Sequence, residues 1–190
     1  MSSKSEKTFI IFLELPSSIS QNIDRIRAAF SSNRLDYKAH ITLKQAEDFV
    51  ISEKLFADKT VELVKNYKPF DVSIKNLSAN KSKLGWNIYL KVESIKVVNL
   101  VKYLSKIFEK YIDPNSPGAY DSTKWEQSDE FYAHISIKGT DKKEKIEKLY
   151  LGIEQMINEL KFPKIIKCQR ITVAKWENNK WTKIKSVELK

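Results

Sequence analysis

The order of elements in this chain occurs twice, and that repetition limits the folds open to it. Residues 8–15 are a short apolar run closed by Pro16, the mark of a buried strand. Ser18 and Gln21 read as a capping box, followed by Ile19, Ile23, Ile26 and Phe30 at helical spacing. Residues 38–44 read as a strand and residues 52–67 as a helix. Phe70, Val72 and Ile74 then alternate with polar residues as a half-buried strand. After a turn at Lys83-Leu84-Gly85 the series restarts. Residues 86–93 alternate as a strand, and Val97, Val101, Leu104, Phe108 and Tyr111 mark one face of a helix. Residues 113–130 show no period, carry Pro114, Pro117 and Gly118, and read as a loop. Residues 132–138 read as a strand. Thr140 or Asp141 caps a helix with Ile146, Leu149, Ile153, Met156 and Leu160 inward. Residues 165–176 read as a strand, 177–179 as a turn and 181–189 as the last strand.

This order predicts one α+β domain over residues 1–190, made of two units, about 8–77 and 86–176, plus the strand 181–189. His40 lies 32 residues after Thr8, and His134 lies 48 after Trp86. The difference is close to the length of the 113–130 loop, which reads as an insertion before the second histidine.

Both histidines of the chain fall at the same place in the repeat. One stands in Ala39-His40-Ile41-Thr42-Leu43-Lys44, the other in Ala133-His134-Ile135-Ser136-Ile137-Lys138. Side chains alternate along a strand. Strict alternation puts His40, Thr42 and Lys44 on one face, and His134, Ser136 and Lys138 on another. A single strand histidine is ordinarily a half-buried packing residue; a matched pair needs a different reason. Two imidazoles across a phosphate diester can divide acid–base work, the neutral ring taking a proton and the protonated ring giving one. Either histidine can fill either role. Thr42 and Ser136 can donate to non-bridging phosphoryl oxygens as charge develops.

Composition bears on what else the chain can do. One cysteine, Cys168, excludes an internal disulfide and a cysteine-built zinc site. Two histidines and few nearby carboxylates (Glu47 and Asp48 are nearest to the first motif) argue against a metal centre, and no cofactor is implied. No run reaches 18 apolar residues, and the stretch 9–15 carries Glu14, so it makes a poor signal peptide. The expectation is a soluble cytoplasmic monomer. The formal charge of +10 and pI of about 9.4 suit a phosphate-rich partner. The excess is mostly lysine, which compositional bias explains equally well.

The paired histidine–apolar–hydroxyl motifs resemble those of the 2H phosphoesterase superfamily, and within it the 2'-5' RNA ligase-like or RNA 2',3'-cyclic phosphodiesterase family. Residues 171–176, Trp181 and the final strand resemble the family's ending. The family often has proline before the histidine, where this chain has Ala39 and Ala133. The resemblance implies two pseudosymmetric lobes, each a small antiparallel sheet with outer helices, and an active cleft between them. It implies His40, Thr42, His134 and Ser136 as the catalytic set. It implies RNA ends carrying 2',3'-cyclic phosphates, opened to 2'-phosphates, or 2'-5'-linked and cyclic oligonucleotides, as substrates. A protein that binds RNA ends without turnover is the reading from another class.

Around this set, Lys44 and Lys138 are candidates for binding the flanking phosphate, from strand alternation alone. Tyr132, two residues before His134, is a candidate for stacking on a base. Trp125, in the long loop, is a candidate lid or stacking wall. Cys168 reads as a small core residue.

Overall fold

The computed structural model describes residues 7–31, 37–82, 85–141 and 143–190. Lys83 and Leu84 of the expected turn lie outside the described residues. The strands are β1 Thr8–Glu14, β2 His40–Asp48, β3 Phe70–Ser82, β4 Gly85–Glu93, β5 His134–Thr140, β6 Ile165–Cys168, β7 Arg170–Glu177 and β8 Lys180–Glu188. The helices are α1 Ser17–Ala29, α2 Glu53–Val64, α3 Ile95–Phe108, α4 Asp121–Gln127 and α5 Ile146–Glu159.

The strands form two four-stranded sheets, ordered β2-β1-β7-β8 and β5-β4-β3-β6, with antiparallel pairing throughout. This is the α+β, two-lobed arrangement expected. The sequence units are not the lobes, however. Each unit sends its last strand to the other sheet: β3 of the first joins β4 and β6, while β7 of the second joins β1 and leaves β4, β5 and β6 behind. The helices cross over too, since α1 packs on β5 while α3 and α4 pack on β2. Phe9, Phe49, Phe56 and Phe108 meet at the centre, with Phe56 and Phe108 centroids 4.5 Å apart and Phe9 and Phe56 4.8 Å apart. This contact fuses β1, α2 and α3 into one core.

Four local expectations are corrected. The capping box at Ser18 is absent: α1 starts at Ser17, and the Pro16 carbonyl accepts from Ile19 and Ser20. Neither Thr140 nor Asp141 caps α5. β5 runs on to Thr140, paired with Trp86, and a 3₁₀ turn at Lys143–Lys145 leads into the helix. The 113–130 segment holds α4, whose seven residues are too few to show a period. The strand expected over 165–176 is two strands, because at Gln169 the chain leaves one sheet for the other.

Candidate active site

β2 and β5 are the edge strands of their sheets, and they lie against each other. Each begins with its histidine. The half-buried His40 ring sits 4.6 Å from Phe12 and 6.1 Å from Tyr37. His40 Nδ1 lies 2.8 Å from the Lys38 carbonyl oxygen. A carbonyl can only accept, so Nδ1 carries the hydrogen and, in the neutral ring, Nε2 carries the lone pair. The half-buried His134 ring is bordered by Tyr89 at 5.1 Å, Tyr132 at 5.7 Å and Trp125 at 6.2 Å. Thr42 and Ser136, both half-buried, stand opposite Phe12 and Tyr89 in their ladders.

The partners across the ladders differ in charge. Glu14 is paired with His40, and Lys91 with His134. Glu14 accepts from the Thr172 hydroxyl and from Arg170 at 3.3 Å. Tyr132 lies nearly parallel to Tyr89 at 5.4 Å, and its hydroxyl accepts from the Asn80 amide. Burial, with the Tyr132 hydroxyl beside it, pushes the Tyr89 hydroxyl up, so it stays neutral. Trp125 meets Phe131 at 4.7 Å and Tyr132 at 5.6 Å. The structure therefore gathers His134, Ser136, Tyr132 and Trp125 in one neighbourhood.

The two lysine expectations are corrected. β2 carries an extra residue where Phe12 pairs with Thr42 but Ile11 pairs with Lys44. β5 carries one where Tyr89 pairs with Ser136 but Ile88 pairs with Lys138. Both bulges fall three residues after the histidine, at Leu43 and Ile137, and break the alternation that the lysine reading assumed. Lys44 is 0 % exposed. Its ammonium donates to Glu47 and Glu126, each at 2.8 Å, and to Thr123 at 3.1 Å. Lys138 donates to the Ser31 carbonyl at 2.6 Å, just past α1.

The Lys44 cluster anchors α4. Glu126 also accepts from the Gln45 backbone N–H at 2.5 Å, and Ser122 donates to Glu47. Burial holds the Glu126 carboxyl above its ordinary value, while Lys44 pulls the other way. Trp125 is thus mounted on a helix pinned to the first histidine strand.

Sequence reasoning missed Arg27. It is 2 % exposed and lies in α1. It donates to the backbone of both motif segments, at Tyr37 and at Ser136. The signal was available: Arg27 stands four residues after Ile23 and three before Phe30, inside the apolar stripe. Cys168 is buried in the core as expected, and burial pushes its thiol up to about 12. Among the described residues, no three His, Cys, Asp or Glu side chains gather as a metal-binding group. Among the same residues, no helix is long and apolar enough to cross a membrane.

Two four-stranded lobes whose adjoining edges each open with a histidine and a following hydroxyl define a protein of the two-histidine phosphoesterase class. The model of the 2'-5' RNA ligase superfamily matches residues 15–180, and the chain belongs to that family. Solved structures repeat the fold. The protein TT0787 of Thermus thermophilus is 12% identical, with TM-score 0.60 over 96% of this chain and 97% of that one. LigT of E. coli, complexed with 3'-AMP, is 15% identical, with TM-score 0.59 over 97% and 99%. A structure described as a phosphoesterase is 14% identical, with TM-score 0.57 over 97% and 99%. No curated protein matches this chain.

Proposed function

We propose that this protein is a metal-independent phosphodiesterase that opens 2',3'-cyclic phosphates of RNA or nucleotides to 2'-phosphates. The observation that carries the reading is the twin placement of His40–Thr42 and His134–Ser136 at the starts of two adjoining edge strands. In this reaction the neutral imidazole takes a proton from water. The water oxygen forms a bond to phosphorus while the P–O3' bond breaks, and the protonated imidazole gives its proton to the departing O3'. The product keeps phosphate on the 2'-oxygen. Thr42 and Ser136 hydroxyls donate to the phosphoryl oxygens as charge grows. Tyr132 and Trp125 offer a surface for the base. The donor set is imidazole and hydroxyl, so the positive field comes from a protonated ring. LigT complexes with 3'-AMP and with ATP support a nucleotide-type ligand.

A second reading has its own observation. Half-buried aromatic rings stand beside both histidines, Tyr37 at His40 and Tyr132 and Trp125 at His134. Rings on both flanks suit a linkage with a nucleoside on each side, including 2'-5' oligoadenylates and cyclic oligonucleotides. There a vicinal 3'-hydroxyl replaces water as the nucleophile.

Turnover in EDTA of a 2',3'-cyclic nucleotide and of a 2'-5'-linked diadenylate tests both. His40→Ala and His134→Ala are each expected to lower turnover by at least about 100-fold. The preferred substrate chooses between water and the 3'-hydroxyl. Turnover unchanged in either variant would end the two-histidine reading. Stoichiometric RNA binding without product would favour an RNA-end binding protein.

A further inference from the structure

An edge strand leaves a row of backbone N–H and C=O groups without a ladder partner. Both histidine strands are edges here, and buried charged side chains serve those groups. Each comes from a helix of the opposite sequence unit. Glu126 of α4 accepts from Gln45 in β2. Arg27 of α1 serves β5 and the approach to β2. Its Nε and Nη2 donate to the Ser136 carbonyl at 3.1 and 2.6 Å. Its Nη1 donates to the Tyr37 carbonyl at 3.1 Å and to Asp24 Oδ1 at 3.0 Å. The same Asp24 oxygen accepts from the Ala39 N–H at 3.2 Å, one residue before His40.

One planar ion therefore holds backbone three residues before His40 and two residues after His134. We propose that Arg27, braced by Asp24, is a positioning residue that fixes the separation of the two imidazoles without touching substrate. The inference rests on the two-histidine reading above. The geometry needs a guanidinium. Three N–H groups in a rigid fork reach two carbonyls from one direction, and an ammonium is a point charge on a flexible stem. Proton transfer at both ends of one phosphate is sensitive to this separation, and a misplacement of about 1 Å costs on the order of 100-fold.

The test follows the two imidazoles by ¹⁵N–¹H correlation, which is simple because the chain has only two histidines. Arg27→Lys and Asp24→Asn are compared with wild type and with Lys54→Ala, a control at a side chain 87 % exposed. All are measured where circular dichroism shows them folded. Arg27→Lys and Asp24→Asn are expected to move the signals of both histidines together, and Lys54→Ala neither. kcat should fall about 10- to 100-fold with KM within about threefold. Guanidinium ion should restore part of the kcat of Arg27→Ala and none of that of Arg27→Lys, whose ammonium fills the site. Wild-type imidazole signals and wild-type kcat in a folded Arg27→Lys would overturn the proposal. Asp24 is 29 % exposed and its amide keeps the shape, so Asp24→Asn decides by the same criteria if the Arg27 variants do not fold. A wild type that turns over neither substrate nor a cyclic oligonucleotide would sink the two-histidine reading, while the imidazole signals still judge the positioning role.

Discussion

Thr42 and Ser136 are the residues at which rate and affinity should separate. Each stands one step beyond its histidine on the same face, before the bulge turns the strand. A hydroxyl there gains strength as the phosphoryl oxygens take on charge, so its removal should fall on kcat. Thr42→Val keeps the shape and removes the donor. Its kcat is expected to drop about 100-fold, with KM within about threefold, measured on whichever substrate wild type prefers. An equal rise in KM at constant kcat would make Thr42 a plain binding group. Trp125 should act the other way, because a stacked base is held in ground and transition state alike. Trp125→Ala is expected to raise KM about 10-fold with kcat nearly constant, and an unchanged KM for every accepted substrate would remove it from the site. At this scale the sequence was legible where side chains obey alternation, as His40, Thr42, His134 and Ser136 do. It was illegible at Lys44, because a bulge that reverses a face leaves no trace in residue type. Arg27 was overlooked for a different reason: its place in the apolar stripe marked it as buried, but an arginine in a helix usually lies at the surface, and the two carbonyls that it meets are far off in sequence.

Elements explain why we propose Trp125 as a fixed wall and not as a lid. α4 is seven residues long and would be marginal alone. It is held by two carboxylates and one ammonium, all buried. Lys44 is 0 % exposed, and its side chain bonds Glu47 and Glu126 directly. Lys44→Met would leave both carboxylates without their cation, and a stability loss of about 3–5 kcal/mol is expected in urea unfolding. Glu126→Gln keeps an acceptor for Gln45 and leaves Lys44 paired with Glu47, so its loss should be smaller. The two also differ in pH dependence. Burial raises the Glu126 carboxyl, so the folded state binds that proton more tightly than the unfolded chain does. That contribution is present below the ordinary carboxylate value and is lost as pH rises through the folded one. Stability of Glu126→Gln relative to wild type should therefore rise as pH climbs above the ordinary carboxylate value and level off only beyond the raised folded one; a flat difference would contradict the buried-carboxyl account. The strands and the four longer helices could be read from periodicity, because each is long enough to show one. α4 could not, and neither could the break at Gln169, where a continuous apolar pattern serves two different sheets.

At the scale of the whole molecule, sequence order and spatial order part company, and this yields a further test. The repeat of residues about 8–77 and 86–176 suggests two units that meet at a cleft. The two units instead exchange their last strands, β3 and β7. The first half of the chain supplies β3 to the lobe that carries His134. The second half supplies β7 and β8 to the lobe that carries His40. Without β7, β1 loses the neighbour whose Ile171 and Val173 are 0 % exposed, at roughly 1.5–3 kcal/mol for each side chain uncovered. Without β3, β4 keeps only β5 and β6 has nothing to pair with. Each half also surrenders its grip on the opposite histidine strand, since Arg27 serves Ser136 from one side and Glu126 serves Gln45 from the other. Fragments 1–84 and 85–190 should therefore show no cooperative thermal transition when purified separately. Co-expressed, they should assemble one to one and recover both the transition and turnover, because all eight strands and both histidines are then present. A cooperative transition in either fragment alone would mean that a lobe folds from one unit, and the exchange would lose its place as the feature that ties the two imidazoles together.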